Sequence, residues 1–335
     1  MDHVSFGIYH GDEDWVLKGI GQDLASSLAL ILGVTVQTTD AVFKGVRLKT
    51  DFHIFVQQGQ LNENCKLNNG SVPNNSICLF THLDVSNFNP KVLSKCRAVV
   101  FNSSIQLSMA IANGYNPTNS YLLPHAVDPS HHRILSSDDN SLLALKSQLQ
   151  KYTFADLTEH SAVGFCGRYW DKHTYIRRKN YQKVKDVALS LANSGIPVIV
   201  LGPNWDQLFD RNHQNILLLN TRYANYPPIY NLMKIFVSLS IHEGGPLPVL
   251  ESMCCGAYPI VTNTGFAFDV LNNFSYSDLI DPFIDSDKVC NLIKDRFFAD
   301  YWDKQSIRKH ASKFSFKSLA NLMHQIALKS FAVTK

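Results

Sequence analysis

The 335-residue chain has no apolar run near the roughly 18 residues that a membrane-spanning helix needs, so no span is expected. Its start, MDHVSFGIYHGDEDW, carries acids where a secretion signal carries bases, so no such signal is expected either. It has no CxxC pair, and its seven cysteines, at 65, 78, 96, 166, 254, 255 and 290, are odd in number. That pattern argues against a disulfide framework or a zinc site and for reduced, mostly buried thiols in a cytoplasmic protein. Charge of one sign is scarce: the net value of +3 is too small for a nucleic-acid partner. There is no low-complexity tract and no short-period repeat.

What remains is 45 % hydrophobic and 18 % charged, an ordinary globular composition over a length that suits two domains. The charge is unevenly placed. Residues 1–130 hold 8 Lys and Arg against 10 Asp and Glu, and the rest hold 23 against 18. The basic excess lies in the second half, where an anionic ligand is expected to bind.

The first half alternates strands and helices. Strands are expected at Val4–Ile8, Val34–Gln37, Phe52–Val56, Ile77–Phe80, Ala98–Phe101 and Tyr121–Leu123. Helices are expected at Gly19–Leu32, Lys91–Lys95 and Ser104–Asn113, while Asn62–Ser76, with Asn at 62, 64, 68, 69, 74 and 75, reads as a polar loop. After a mixed stretch with a helical LLALKSQLQKY, the alternation restarts. Strands are expected at Ala162–Cys166, Val198–Leu201, Ile216–Leu219, Ile235–Ser240 and Tyr258–Thr262. Helices are expected at Tyr181–Ala192, Tyr226–Met233, Pro246–Cys255, Asp287–Arg296 and Phe316–Ala332. Such alternation predicts an α/β fold of two doubly wound parallel sheets in tandem, with ligands at a cleft by the carboxyl ends of the strands.

The stretch from Ile235 to Met253 carries the chemistry. An apolar strand ends at Glu243, Gly244 and Gly245 follow, and a helix begins with a second carboxylate, Glu251, eight positions after the first. The two glycines let a ligand approach the backbone, and a helix start is a ready phosphate site. Glu243 at a strand end can accept hydrogen bonds from sugar hydroxyls, and Glu251 can hold a ribose diol, because each carboxylate offers two acceptor oxygens. A helix N-terminus with acids beside it, one of them on the surface, is the plainer alternative. His131-His132 reads as a surface pair, since adjacent residues point apart. Asp12-Glu13-Asp14 reads as a solvated loop, and Asp138-Asp139 as an exposed turn rather than a metal-binding DxD.

The text EGGPLPVLESMCCGAYPIVTNTGF, starting at Glu243, resembles the E-x7-E motif of the retaining GT-B glycosyltransferases of the GT4 family, typically EGxGLPxLEAMACGxPVVxSxxGG. Other segments resemble that family in the same order. Val163–Arg168 is similar to its F-V-G-R strand, Val200–Gly202 to the next strand and phosphate-side turn, and Leu123–Asp128 to its PNGVD connection. Phe80–Asp84, with His82, resembles its T-x-H-D strand end, Lys95–Ser104 its ADAVIAPS segment, and Gly19-Ile20-Gly21 the glycine loop that faces the diphosphate.

The resemblance implies two Rossmann-like domains facing a central cleft. Residues 1–130 form the acceptor-side domain, 131–160 the connection and 161–300 the nucleotide-sugar domain. Residues 301–335 form a helical segment that packs back on the first domain. It also implies an enzyme that transfers a sugar with retention from a UDP- or GDP-sugar to a glycan, lipid-linked or protein acceptor, without a metal or other cofactor. Arg168 and Lys179, or Lys172, bind the diphosphate together with the backbone at Gly244, Gly245 and Leu247 and the turn at Gly202. Glu243 holds the sugar, Glu251 the ribose, and His82 stands near the donor sugar. A peripheral contact with the inner membrane face stays open, and so does the reading of a catalytically silent partner subunit that binds nucleotide or glycan. Three departures stand out: Pro246 replaces a residue with an N–H, Asn180 replaces a glycine, and Leu83 separates His82 from Asp84.

Overall fold

A computed structural model describes residues 4–10, 15–40, 44–81, 88–149, 157–210, 213–299 and 302–332. His82, Asp84 and Asp12-Glu13-Asp14 lie outside these residues. The chain divides into two compact units, one of Met1–Ala126 with Phe314–Lys335, the other of Val127–Lys313.

The first unit is built on six strands: β1 (Ser5–Tyr9), β2 (Thr35–Thr39), β3 (Phe52–Phe55), β4 (Ser76–Phe80), β5 (Ala98–Phe101) and β6 (Ser120–Leu122). All pair in parallel in the order β2-β1-β3-β4-β5-β6. Every residue of β3, β4 and β5 is buried, as expected of a parallel sheet covered on both faces. Helices α1 (Trp15–Leu32), α2 (Gln58–Leu67), α3 (Pro90–Leu93) and α4 (Ser104–Ala112) connect the strands. Asn89 caps α3 through Val92 N–H, and Ser103 caps α4 through Gln106 N–H. No helix among the described residues is long and apolar enough to cross a membrane.

Part of the segment expected to be a polar loop is helical, because α2 runs through Leu67. Its asparagines act as ties rather than breakers. Asn64 Nδ2 donates to Val46 O at 3.0 Å, and Asn68 Nδ2 donates to Gly45 O at 3.1 Å and Asn64 O at 2.8 Å. Tertiary hydrogen bonds outweigh the weak helix propensity of Asn here. The glycine loop expected at Gly19-Ile20-Gly21 is likewise absent, since both glycines lie inside α1. Gly21 permits a close approach: a Cβ there would stand 2.9 Å from Cβ of His10.

The second unit holds β7 (Ala162–Cys166), β8 (Val198–Leu201), β9 (Ile216–Leu219), β10 (Met233–Ser238), β11 (Tyr258–Thr262) and β12 (Asp278–Ile280). They form a parallel sheet in the order β12-β11-β10-β7-β8-β9. Its helices are α5 (Asn140–Leu149), α6 (His173–Lys179), α7 (Tyr181–Asn193), α8 (Tyr226–Tyr230), α9 (Leu247–Cys254), α10 (Ala267–Leu271), α11 (Ser286–Phe298) and α12 (Lys304–Ala311). α8 is shorter than the spacing predicts, because the chain turns at Asn231 and Leu232 and enters β10 at Met233. α9 ends in a Schellman motif: Ala257 N–H bonds Ser252 O at 3.0 Å and Gly256 N–H bonds Met253 O at 2.9 Å, with Gly256 at φ +90°.

The stretch 131–160 is part of this unit, as α5 shows, and 301–335 is divided between the two. α12 packs on α9, whereas the last helix, α13 (Phe316–Ala332), packs on α1 in the first unit. All seven cysteines are free thiols, and Cys166 alone is not fully buried.

Candidate active site

Counted from β7, the second sheet has the order 3-2-1-4-5-6, and the direction of winding reverses between β7 and β10. Chains leaving the carboxyl ends of two such strands part and open a crevice between them. Gly167 and Arg168 follow β7, and the segment from Leu239 to Glu243 follows β10.

Glu243 is 8 % exposed and firmly held. Its N–H donates to Thr264 Oγ1 at 3.0 Å, and its Oε1 accepts from Ser240 Oγ at 2.7 Å and from the Lys179 ammonium in an ion pair. Its Oε2 has no bonding partner among the described residues. Lys179 reaches it from the end of α6, because Ile241 N–H and His242 N–H donate to Arg178 O at 2.8 and 3.3 Å and tie the helix end to the loop after β10. Asn180 then turns the chain into α7 at φ +55°, a left-handed position that favours glycine and that Asn tolerates. Burial pushes the Glu243 carboxyl up, but Lys179, the Ser240 hydroxyl and the nearby Arg178 together bring it below the usual glutamate value.

Glu251 stands in α9 and is 4 % exposed, so it is no surface residue. Its two oxygens meet two tyrosines: Tyr223 OH donates to Oε1 at 2.7 Å and Tyr230 OH to Oε2 at 2.8 Å. Burial raises its pKa, and the two hydroxyls and the charge of His131 offset this only in part.

His132 corrects the surface reading of the His pair. It is 1 % exposed, and its ring packs against Tyr223 and Tyr230 at 5.5 and 6.0 Å. Neither ring nitrogen has a hydrogen-bond partner, and burial lowers its pKa to about 3, so the imidazole is neutral.

Arg168 and Lys172 lie on the surface, their cations 5.5 and 5.3 Å from the centre of the Trp170 ring. Trp170 meets Tyr175 edge-on at 4.6 Å, and the Arg178 guanidinium lies 5.0 Å from Tyr175. Cations and aromatics thus alternate from Arg168 to Lys179, where part of the basic excess of the second half collects. Lys172 stands at the position before α6, makes no capping bond with its side chain, and takes no part in the bonds that hold Glu243.

Gly202 shapes the turn that carries Arg168. It sits at φ +126°, and a Cβ there would stand 1.9 Å from Gly167 O, which also accepts from Trp205 Nε1 at 2.7 Å. No other residue fits that contact.

The helix start after Gly244 and Gly245 offers fewer donors than the sequence predicts. Leu247 N–H is bonded to Gly245 O and Val249 N–H to Pro246 O, both at 2.9 Å, and Pro246 and Pro248 have no N–H. Leu247 is therefore not a free phosphate donor, and charge at this site rests on the cationic side chains. Sequence reasoning missed Arg178, Ser240, Thr264, Tyr223, Tyr230 and His132. The aromatic spacing at 223, 226 and 230 was the one visible signal.

Residues 173–309 match the family described as Glycosyl transferases group 1. The matched domain marks the chain as a transferase enzyme. No curated protein matches the chain by sequence. Among solved structures, sucrose-phosphate synthase from Thermosynechococcus elongatus is similar at TM-score 0.74 and 12 % identity, over 99 % of this chain and 100 % of that one. Anabaena Alr3699/HepE in complex with UDP and glucose is similar at TM-score 0.67 and 14 % identity, over 99 % of each chain. The catalytic domain of starch synthase IV from Arabidopsis thaliana, bound to ADP and acarbose, is similar at TM-score 0.63 and 14 % identity, over 96 % of this chain and 79 % of that one. The two six-stranded parallel sheets with flanking helices match GT-B glycosyltransferase structures.

Proposed function

We propose that this chain is a retaining, metal-independent glycosyltransferase that takes its sugar from a nucleoside diphosphate sugar, with UDP or GDP as carrier. One observation carries the reading. Two buried carboxylates, eight residues apart at the winding reversal of the second sheet, are built for different partners, Glu243 beside an ammonium and Glu251 between two hydroxyls. Glu251 receives the ribose diol and Glu243, through its unbonded Oε2, a hydroxyl of the donor sugar.

Bond cleavage puts negative charge on the leaving diphosphate. Cations fixed where that charge develops lower the barrier, and each such contact is worth on the order of 100-fold or more in rate. Lys179 is the partly buried cation of the set and Arg168 the exposed one; Lys172 is the alternative to Lys179. With the start of α9 poor in free N–H groups, these side chains carry the load that a metal ion or helix N-terminus carries elsewhere. Among the described residues no side chain stands as a clear nucleophile; in the reading preferred here attack comes from the face that the diphosphate leaves, and the leaving phosphate takes the acceptor's proton. The acceptor is a glycan, a lipid-linked sugar or a protein.

Donor hydrolysis followed by proton NMR tests this. A UDP- or GDP-sugar incubated with the protein and EDTA is expected to release sugar first in the anomeric form of the donor. Release of the opposite anomer rules out retention. The spent N–H groups at the α9 start favour a second reading, a silent nucleotide-binding partner; binding without any hydrolysis or transfer selects it.

A further inference from the structure

Residues 168–179 hold Arg168, Lys172, Arg177, Arg178 and Lys179 against a single acid, Asp171. That surplus of four exceeds the +3 of the whole chain, so the basic charge is concentrated on this one segment. The last turn of α6 sorts three of these cations. Tyr175, Arg178 and Lys179 stand at i, i+3 and i+4 on one face of the helix, from which Lys179 reaches Glu243. Arg177 stands off that face and is exposed, an ordinary surface cation at a helix C-terminus. Arg178 is half-buried. Its guanidinium rests on the Tyr175 ring, 5.0 Å from the ring centre, and its backbone carbonyl is tied to Ile241 N–H and His242 N–H in the loop that carries Glu243. Its charge acts on the Glu243 carboxyl and on the Tyr181 hydroxyl, which donates to Arg168 O at 2.5 Å. Arg178 thus stands near both strand ends at the winding reversal.

The two neighbours are used differently. The Lys179 ammonium is engaged by Glu243. Arg178 makes no ion pair among the described residues, and its buried Nε has no hydrogen-bond partner there. Two cations around one carboxylate leave one positive charge over, in a partly buried setting where it attracts an anion more strongly than in open water. Resting on the nucleoside diphosphate reading proposed above, we infer that Arg178 is a third diphosphate-binding cation, and that it meets the phosphate that carries the sugar. That phosphate follows from the neighbour, because Glu243 receives the sugar. A guanidinium is always charged, and its planar fork meets two phosphate oxygens at once. It therefore suits a phosphate that gains charge as the sugar leaves.

Titration calorimetry with UDP, GDP and ADP, and with the monophosphate of whichever binds, is carried out on wild type, Arg177→Gln, Arg178→Gln, Arg178→Lys and Arg168→Ala. Arg178→Gln is expected to lose about tenfold to a hundredfold in diphosphate affinity, the worth of hydrogen bonds between charged groups. Its monophosphate affinity is expected to stay as in wild type, because the monophosphate lacks the phosphate in question; that binding also shows the variant to be folded. Arg178→Lys keeps the charge without the fork and is expected to lie between the two. Arg177→Gln removes the same charge one residue away and is expected to change little, because an exposed charge is screened by salt. Wild-type diphosphate affinity in Arg178→Gln, with Arg168→Ala still losing it, overturns the Arg178 contact alone. An equal loss in Arg177→Gln, or an equal loss for the monophosphate, overturns it too. No binding of any nucleotide by wild type removes the nucleoside diphosphate reading and this contact with it.

Discussion

Glu243 and Glu251 belong to one strand–helix unit and are both buried, yet their surroundings drive them in opposite directions. Around Glu243 an ammonium, a hydroxyl and a guanidinium nearby outweigh burial, so the carboxylate stays charged and becomes half of an ion pair. Around Glu251 two phenol hydroxyls and the charge of His131 leave burial dominant, so ionisation is disfavoured. Burial alone therefore says little about a carboxylate's role; the partners decide it. A charged pair suits the end of the site where phosphate charge and sugar hydroxyls meet. An acceptor boxed by phenols suits a neutral diol.

Lys179→Met breaks the charged side, and transfer or donor hydrolysis is expected to fall on the order of 100-fold or more while the fold persists by circular dichroism. Next in size is the stability contrast of two matched substitutions, measured by urea unfolding at neutral pH. Glu243→Gln is expected to cost about 2 kcal/mol, because a partly buried lysine loses its counter-ion. Glu251→Gln is expected to cost nothing or to stabilise by up to about 1 kcal/mol, because a carboxylate that burial disfavours becomes neutral. Two losses of equal size would erase the distinction between the sites.

The pH dependence sharpens it further. Glu243 titrates lower folded than unfolded, where the value is 4.5, so its stabilising contribution is present above 4.5 and is lost as pH falls through the folded value. Glu251 titrates higher folded, so its penalty is present above the folded value and fades as pH falls towards 4.5. The gap between wild type and Glu243→Gln closes only in acid below 4.5, whereas the gap for Glu251→Gln closes above it. Tyr230→Phe is expected to lose about 1 kcal/mol with the hydrogen bond to Oε2, again by urea unfolding.

Local signals made much of this legible in the sequence. Ala162–Cys166, Val198–Leu201, Ile216–Leu219 and Tyr258–Thr262 are strands with the bounds their patterns predict, since each is a short apolar run closed by Gly, Pro or Asn. The glutamate pair was visible because its spacing is local. The residues that distinguish the two glutamates were not. Tyr223 and Tyr230 reach Glu251 across 28 and 21 positions, and Lys179 reaches Glu243 across 64. His132 looked like surface because alternation along the chain says nothing about which neighbours cover it. α2 was missed because the Asn side chains that hold it bond to a loop near residue 45.

The most direct test of the donor site is a thermal-shift titration with UDP, GDP, ADP and CMP and their sugar conjugates, with and without EDTA, on wild type, Glu251→Ala and Arg168→Ala. A ligand that binds only the folded protein adds about 2.7 kcal/mol of stability at a hundredfold excess over its dissociation constant. The account predicts that one nucleoside diphosphate raises the wild-type transition, that EDTA changes nothing, and that both variants lose the shift. An equal shift in Glu251→Ala, or none in wild type with any nucleotide, contradicts it.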